Sequence, residues 1–172
     1  MDEEPYPGFR DFVSGRGTAL LRTAYLLTGD HHAAEDLLQS ALARVLRHWR
    51  RASDGDPEAY VRRTMYHLRM SWWRRRRVRE QLFAAPPEQA GADPHAGTAL
   101  RMSLDRALAL LTPRQRAVLV LRFYEDLTEA QAASMLGCTV GTVKRHAHDG
   151  LVRLRSVAPH LVDDVRITGG LR

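Results

Sequence analysis

Apolar residues recur along this chain at spacings of three and four, the period of a helix with one buried face, and nowhere alternate like a strand. Phe9, Phe12 and Val13 open a first stripe, and Leu20, Leu21, Ala24, Tyr25 and Leu27 close it. Gly15 and Gly17 between the two groups are expected to weaken or break the helix there. Thr28-Gly29-Asp30 ends the segment, with Asp30 placed to cap the next helix. In that helix Ala34, Leu38, Ala41, Val45 and Trp49 form a single stripe. After the turn Ser53-Asp54-Gly55-Asp56, the pair Asp56-Pro57 supplies an N-cap and a proline at the first helical position. Val61, Met65, Leu68 and Trp72 are the expected core face of this third helix.

The pattern then lapses. Ala84 to Gly97, AAPPEQAGADPHAG, holds three prolines, two glycines and no aliphatic side chain larger than alanine, which is linker chemistry. Such a segment reaches at most about 50 Å when extended. Helical periodicity returns over Met102 to Leu111. Thr112-Pro113-Arg114-Gln115 is a capping box with proline at N1, opening a helix expected over Arg114 to Tyr124. Thr128-Glu129-Ala130-Gln131 is a second capping box and starts a short helix that ends at Leu136-Gly137. Thr139 is placed to cap a last helix whose inner face is Val140, Val143, Ala147, Leu151 and Leu154. The expected architecture is therefore all-α. A domain over 1–83 is followed by a linker over 84–97, a helix-turn-helix domain over 98–158 and a tail over 159–172.

Composition narrows the function. In 172 residues, 44% are hydrophobic and 27% charged, an ordinary globular balance. Cys138 is the sole cysteine, which excludes an internal disulfide and a thiolate-rich metal site and suits a small packing residue in the turn. His146 and His148 diverge on a helix, and His31-His32 sits at a helix start, so no metal and no cofactor are expected. Glycine-loop, nucleophile-elbow and carboxylate-pair signatures are absent, which argues against an enzyme. Met1 leads into Asp2-Glu3-Glu4 rather than a signal peptide, and no apolar run approaches the length of a membrane span, so a cytoplasmic location without membrane contact is expected.

Charge is concentrated. Tyr60 to Leu82 carries eight arginines and one acid, a local +7 that exceeds the +6 of the whole chain and calls for a polyanionic partner. Arg62, Tyr66, Arg69, Trp73, Arg76 and Arg77 fall on one stripe about 100° from the core face. Exposed aromatics beside guanidiniums suit unstacked bases; the competing reading puts Tyr66 and Trp73 in the core and the arginines on a solubilising face. In the second domain a small residue at the helix crossing (Ala132 or Ala133), Gly137 and Val143 meet the needs of a helix-turn-helix. Thr139, Gly141, Thr142, Lys144 and Arg145 are left facing outward, as side chains that read base edges and phosphates would be. Arg114 and Arg116 are expected at the surface or flanking DNA, and Arg153 and Arg155 are read either as phosphate contacts or as a solvated face.

These residues resemble the bacterial extracytoplasmic-function (ECF) sigma factors, of the short actinobacterial type, over about Phe9 to Arg155. AEDLLQSALARVLRHW is similar to the family's polymerase-clamp-binding helix, AYVRRTMYHLRMSWWRRRR to its −10-element helix, and LTPRQRAVLVLRFYEDLTEAQAASMLGCTVGTVK to its −35-binding domain. The resemblance implies that Asp36, Leu37, Leu38 and Gln39 dock on the coiled coil of the polymerase β′ subunit, with the β flap as a further contact. It implies that Ser53, Asp54 and Asp56 and the following helix, with Arg62, Tyr66, His67, Arg69, Trp73, Arg74, Arg76 and Arg77, capture a flipped −10 base. It assigns −35 reading to Thr139, Thr142, Lys144, Arg145 and His148, and it implies an anti-sigma partner. Three positions depart from the family: Ser40 where an acid usually follows Gln, His67 where Asn is usual, and Asp149 where a basic or neutral residue is usual. A stand-alone helix-turn-helix regulator is the alternative reading, and a nucleic-acid enzyme is a second.

Overall fold

The computed structural model describes residues 6–83 and 99–157, with side chains described over 6–75 and 105–156. The expected linker and tail lie outside the described residues, as do the side chains of Arg76 and Arg77. Within them all regular structure is helical, and the chain divides into two compact units between Pro86 and Pro87.

The first unit contains α1 (Phe9–Thr28), α2 (His31–Leu46), the short α3 (Trp49–Ser53) and α4 (Pro57–Phe83). Helix α1 runs unbroken through Gly15 and Gly17, so the break does not occur. Two glycines cost a helix interior about 1 kcal/mol each, and packing at both ends offsets them. Phe9 meets the Trp49 ring edge-on at 5.0 Å, Phe12 lies 5.4 Å from it, and Trp49 Nε1 donates to the Pro7 carbonyl at 2.8 Å. At the far end Leu20, Ala24 and Leu27 are fully buried. Gly29 adopts φ 74 to close α1, and its N–H donates to the Tyr25 carbonyl. Asp30 caps α2 by accepting from Ala33 N at 2.8 Å. The chain breaks after Leu46, so Trp49 opens α3 instead of closing α2 while staying buried on the same stripe. Asp56 caps α4 by accepting from Ala59 N at 3.0 Å.

Helix α4 packs on both α1 and α2, and that decides which of its stripes are inside. Val61, Met65 and Leu68 are buried as their spacing predicts, while Trp72 is half-buried.

The second unit holds α5 (Ala99–Leu110), α6 (Pro113–Leu119), a π-helical turn (Val120–Tyr124), α7 (Glu129–Leu136) and α8 (Val140–Val157). Both capping boxes form, Thr112 with Gln115 and Thr128 with Gln131. The expected helix to Tyr124 widens at Val120 into the π turn, whose exit is marked by Glu125 N donating to the Val120 carbonyl. In helix α6 Arg114 is exposed on the first turn, while Gln115 to Leu119 are all buried. Arg116, expected at the surface, is 6% exposed and donates to the Leu108 carbonyl at the end of α5. Helix α8 crosses α6 at Gly150, where a Cβ would fall 2.9 Å from Leu119 Cδ1, so a larger residue there would oblige the Leu119 side chain to shift. Val140, expected on the inner face of α8, is 39% exposed because it sits on the first turn, outside the crossing.

Candidate nucleic-acid interface

In the first unit the structure divides the expected sites. Asp36 and Gln39 are exposed, one turn apart on α2. Leu37 is fully buried and Leu38 nearly so, which leaves Asp36 and Gln39 as the exposed members of the expected docking set. Both leucines belong to the core of the first unit, where α2 packs on α1 and α4.

The expected nucleic-acid stripe of α4 is divided in the same way. Tyr66 is 1% exposed, a core residue rather than a base platform. Arg69 Nε donates to the Leu27 carbonyl at 3.2 Å, satisfying the last turn of α1. Arg62 is half-buried and holds Glu58 at 2.6 Å, and Glu58 also meets Arg16 of α1 at 3.4 Å. Over Arg62 to Arg69 this stripe therefore faces α1. Trp73 is half-buried, and Arg74 is exposed.

The face that α4 turns to solvent carries Tyr60, Arg63 and His67. With Thr64, Tyr60 and His67 form one wall of a groove of about 480 Å³ whose other side is Arg44, Arg47 and His48 at the end of α2. Tyr60, 40% exposed, is an aromatic platform that the sequence reading missed. The spacing Tyr60-Thr64-His67 was available as its signal. Burial first, and then the positive charges of Arg63 and Arg74, hold the His67 imidazole below its ordinary value. At neutral pH it is an uncharged ring offering one donor and one acceptor. Ser53, Asp54 and Asp56 are exposed on the turn before α4; Asp56 is occupied as the N-cap and Ser53 Oγ donates to the Arg50 carbonyl at 3.0 Å.

In the second unit Gly137 takes φ 63 in the turn, Ala132, Ala133 and Val143 are buried between α7 and α8, and Thr139 caps α8 by accepting from Thr142 N at 3.2 Å. The two threonine hydroxyls lie 2.9 Å apart. Gly141, Lys144, Arg145 and His148 are exposed at helical spacing on one face, with Thr139 at its head and Thr142 half-buried. Lys144 Nζ is 3.6 Å from Glu129 of α7, a partner not anticipated. His146 points inward: its Nε2 is buried without a hydrogen-bond partner. Burial, then Arg145 and Arg114, hold its imidazole low against the opposing pull of Asp149. Burial pushes the Cys138 thiol up, with Arg114 opposing, which keeps it protonated as a packing group. Arg153, one of the two ambiguous arginines, donates to the Leu110 carbonyl at 3.0 Å and closes α5; Arg155 is exposed. Among the described residues no three His, Cys, Asp or Glu side chains converge as a metal site would need, and no helix is long and apolar enough to cross a membrane.

Residues 13–79 match the Sigma-70 region 2 family and residues 101–154 match Sigma-70, region 4. The chain is 41% identical to the RNA polymerase sigma-E factor of Streptomyces coelicolor over 86% of its own length and 84% of that protein. It is 32% identical to the ECF RNA polymerase sigma factor SigL of Mycobacterium tuberculosis, over 85% of this chain and 86% of that one. Its fold resembles that of the sigma factor RpoE of Bartonella quintana, solved in complex with the anti-sigma factor NepR, with a TM-score of 0.66 and 23% identity over 88% of this chain and 96% of that one. With a helical unit carrying a basic, aromatic groove followed by a helix-turn-helix, and with both sigma regions matched in that order, the chain belongs to the ECF RNA polymerase sigma factors.

Proposed function

We propose that the two units of this sigma factor divide promoter recognition between them. The first binds core polymerase through the exposed Asp36 and Gln39 and holds the opened −10 strand on the outer face of α4. The second reads the −35 duplex with Thr139, Thr142, Lys144, Arg145 and His148. The observation that carries this reading is the groove between α2 and α4, where Tyr60 and the neutral His67 stand among exposed guanidiniums. A flipped base needs a π-face, a hydrogen-bonding edge and phosphate neutralisation, and all three meet there. The chain itself performs no catalysis; it supplies specificity to the polymerase in the cytoplasm, with the β flap as second contact. An anti-sigma protein, like the partner of the Bartonella quintana factor, covers it when it is idle.

Sigma-free core polymerase and fragmented DNA of the source organism test the reading. Discrete start sites that depend on this chain are expected. Absence of initiation and of core binding by the folded protein would return the case to a stand-alone regulator.

A further inference from the structure

Helix α4 does not hold all the concentrated charge of the first unit. Arg44, Arg47, Arg50 and Arg51 follow one another with no acidic residue between Asp36 and Asp54. All four side chains are exposed, and among the described residues no carboxylate pairs with any of them. The break between α2 and α3 brings the four together, two from each side of the kink. Like charges gathered without counter-charge favour a polyanion.

A second groove, of about 360 Å³, opens over them and is lined by Tyr6, Arg47, His48, Arg50 and Arg51 beside Leu46 and Trp49. Arg47 and His48 also line the groove of Tyr60 and His67, so the two grooves adjoin at those side chains. Each has one tyrosine at 40% exposure, Tyr6 in one and Tyr60 in the other. Tyr6 is held in place by its neighbour Pro7, whose carbonyl accepts from Trp49 Nε1 at 2.8 Å. Aromatic face and guanidinium thus repeat along one path, as a single strand repeats base and phosphate.

We propose that Tyr6, Arg47, Arg50 and Arg51, with Arg44 at the junction, form a second single-stranded DNA site that carries the opened strand across the end of α2 for at least one nucleotide beyond the Tyr60 groove. This rests on the reading that the first unit holds the −10 strand. The second site stacks a base on Tyr6 and neutralises its flanking phosphates with Arg50 and Arg51.

The test uses the full chain and a fluorescent single-stranded 12-nucleotide DNA, with anisotropy followed against salt and folding checked by circular dichroism. Arg50→Ala with Arg51→Ala lowers the logarithmic salt slope by about 1.4, the loss of two single-strand phosphate contacts. Tyr6→Ala weakens binding roughly tenfold while Tyr6→Phe retains it, since the ring does the stacking. An unchanged slope in the Arg50/Arg51 variant, with a fall in an Arg74→Ala, Arg75→Ala variant, overturns the second site and leaves the α4 reading standing. Unchanged slopes in both remove the α4 reading as well. Loss of core-polymerase binding with an unchanged DNA slope assigns the arginines to the polymerase and overturns the proposal.

Discussion

Arg69 and Arg74 both lie in the arginine-rich stretch of α4, yet the structure separates what they do. Arg69 donates to the Leu27 carbonyl, whereas Arg74 is exposed. Arg69→Ala deletes a charged donor and strands a carbonyl in the last turn of α1. A hydrogen bond to a charged group contributes about 1.5–3 kcal/mol, and half-exposure of Arg69 lowers this to about 1–2 kcal/mol. With a urea dependence of roughly 1 kcal/mol/M for a unit of this size, the midpoint falls by about 1–2 M. Trp49, Trp72 and Trp73 are the only tryptophans and all lie in the first unit, so tryptophan fluorescence reports this transition selectively. Arg74→Ala leaves that midpoint in place and instead lowers the logarithmic salt slope for single-stranded DNA by about 0.7, one phosphate contact. The reasoning is refuted if Arg69→Ala lowers the salt slope at an unchanged urea midpoint, because its guanidinium would then reach DNA rather than α1.

Other outcomes follow from the same geometry. Arg116→Ala removes the buried donor to the Leu108 carbonyl and leaves a cavity, and should destabilise the second unit by about 2–4 kcal/mol in a circular-dichroism melt. Glu129→Gln frees Lys144 from an exposed ion pair worth about 0.2–1 kcal/mol, so duplex affinity in a mobility-shift titration should rise about 1.5–5-fold; a decrease would mean that Glu129 orients Lys144 productively. The His146 imidazole is held low in the folded chain, so between its folded value and the ordinary 6.5 the unfolded state binds more protons. Stability of the second unit is therefore full above about pH 6.5 and declines as pH falls below it; His146→Phe should flatten that decline in melts taken across pH.

Reading the chain as two helical domains needed only local rules. Capping boxes at Thr112 and Thr128, the N-caps Asp30 and Asp56, and the turn at Gly137 are settled by residues within a few positions of each other, and each formed as expected. The outward placement of Gly141, Lys144 and Arg145 on α8 followed from the helical period once Val143 was placed inside, whereas Thr142 is half-buried. Periodicity was misleading where a helix has more than one packing partner. Val61, Met65 and Leu68 point to the core of α4, but the neighbouring Tyr66 is inside as well and Arg69 is half-buried, because α1 lies against them. The same holds for Leu37, and for Arg116 in a helix buried from Gln115 to Leu119. A one-dimensional pattern identifies one apolar direction and cannot say how wide the buried arc will be.

The sequence by itself determined the helical class, the turn of the helix-turn-helix, the basic character of the first unit and the family, since these depend on short-range spacing and on residue type. Only the tertiary structure decided that Tyr60 rather than Tyr66 faces solvent, that Arg69 and Arg153 close helix ends, and that Tyr6 stands beside Arg50 and Arg51. Those relations join residues more than forty positions apart. Which of them meet is set by how helices pack, through volumes and carbonyls that no local pattern encodes.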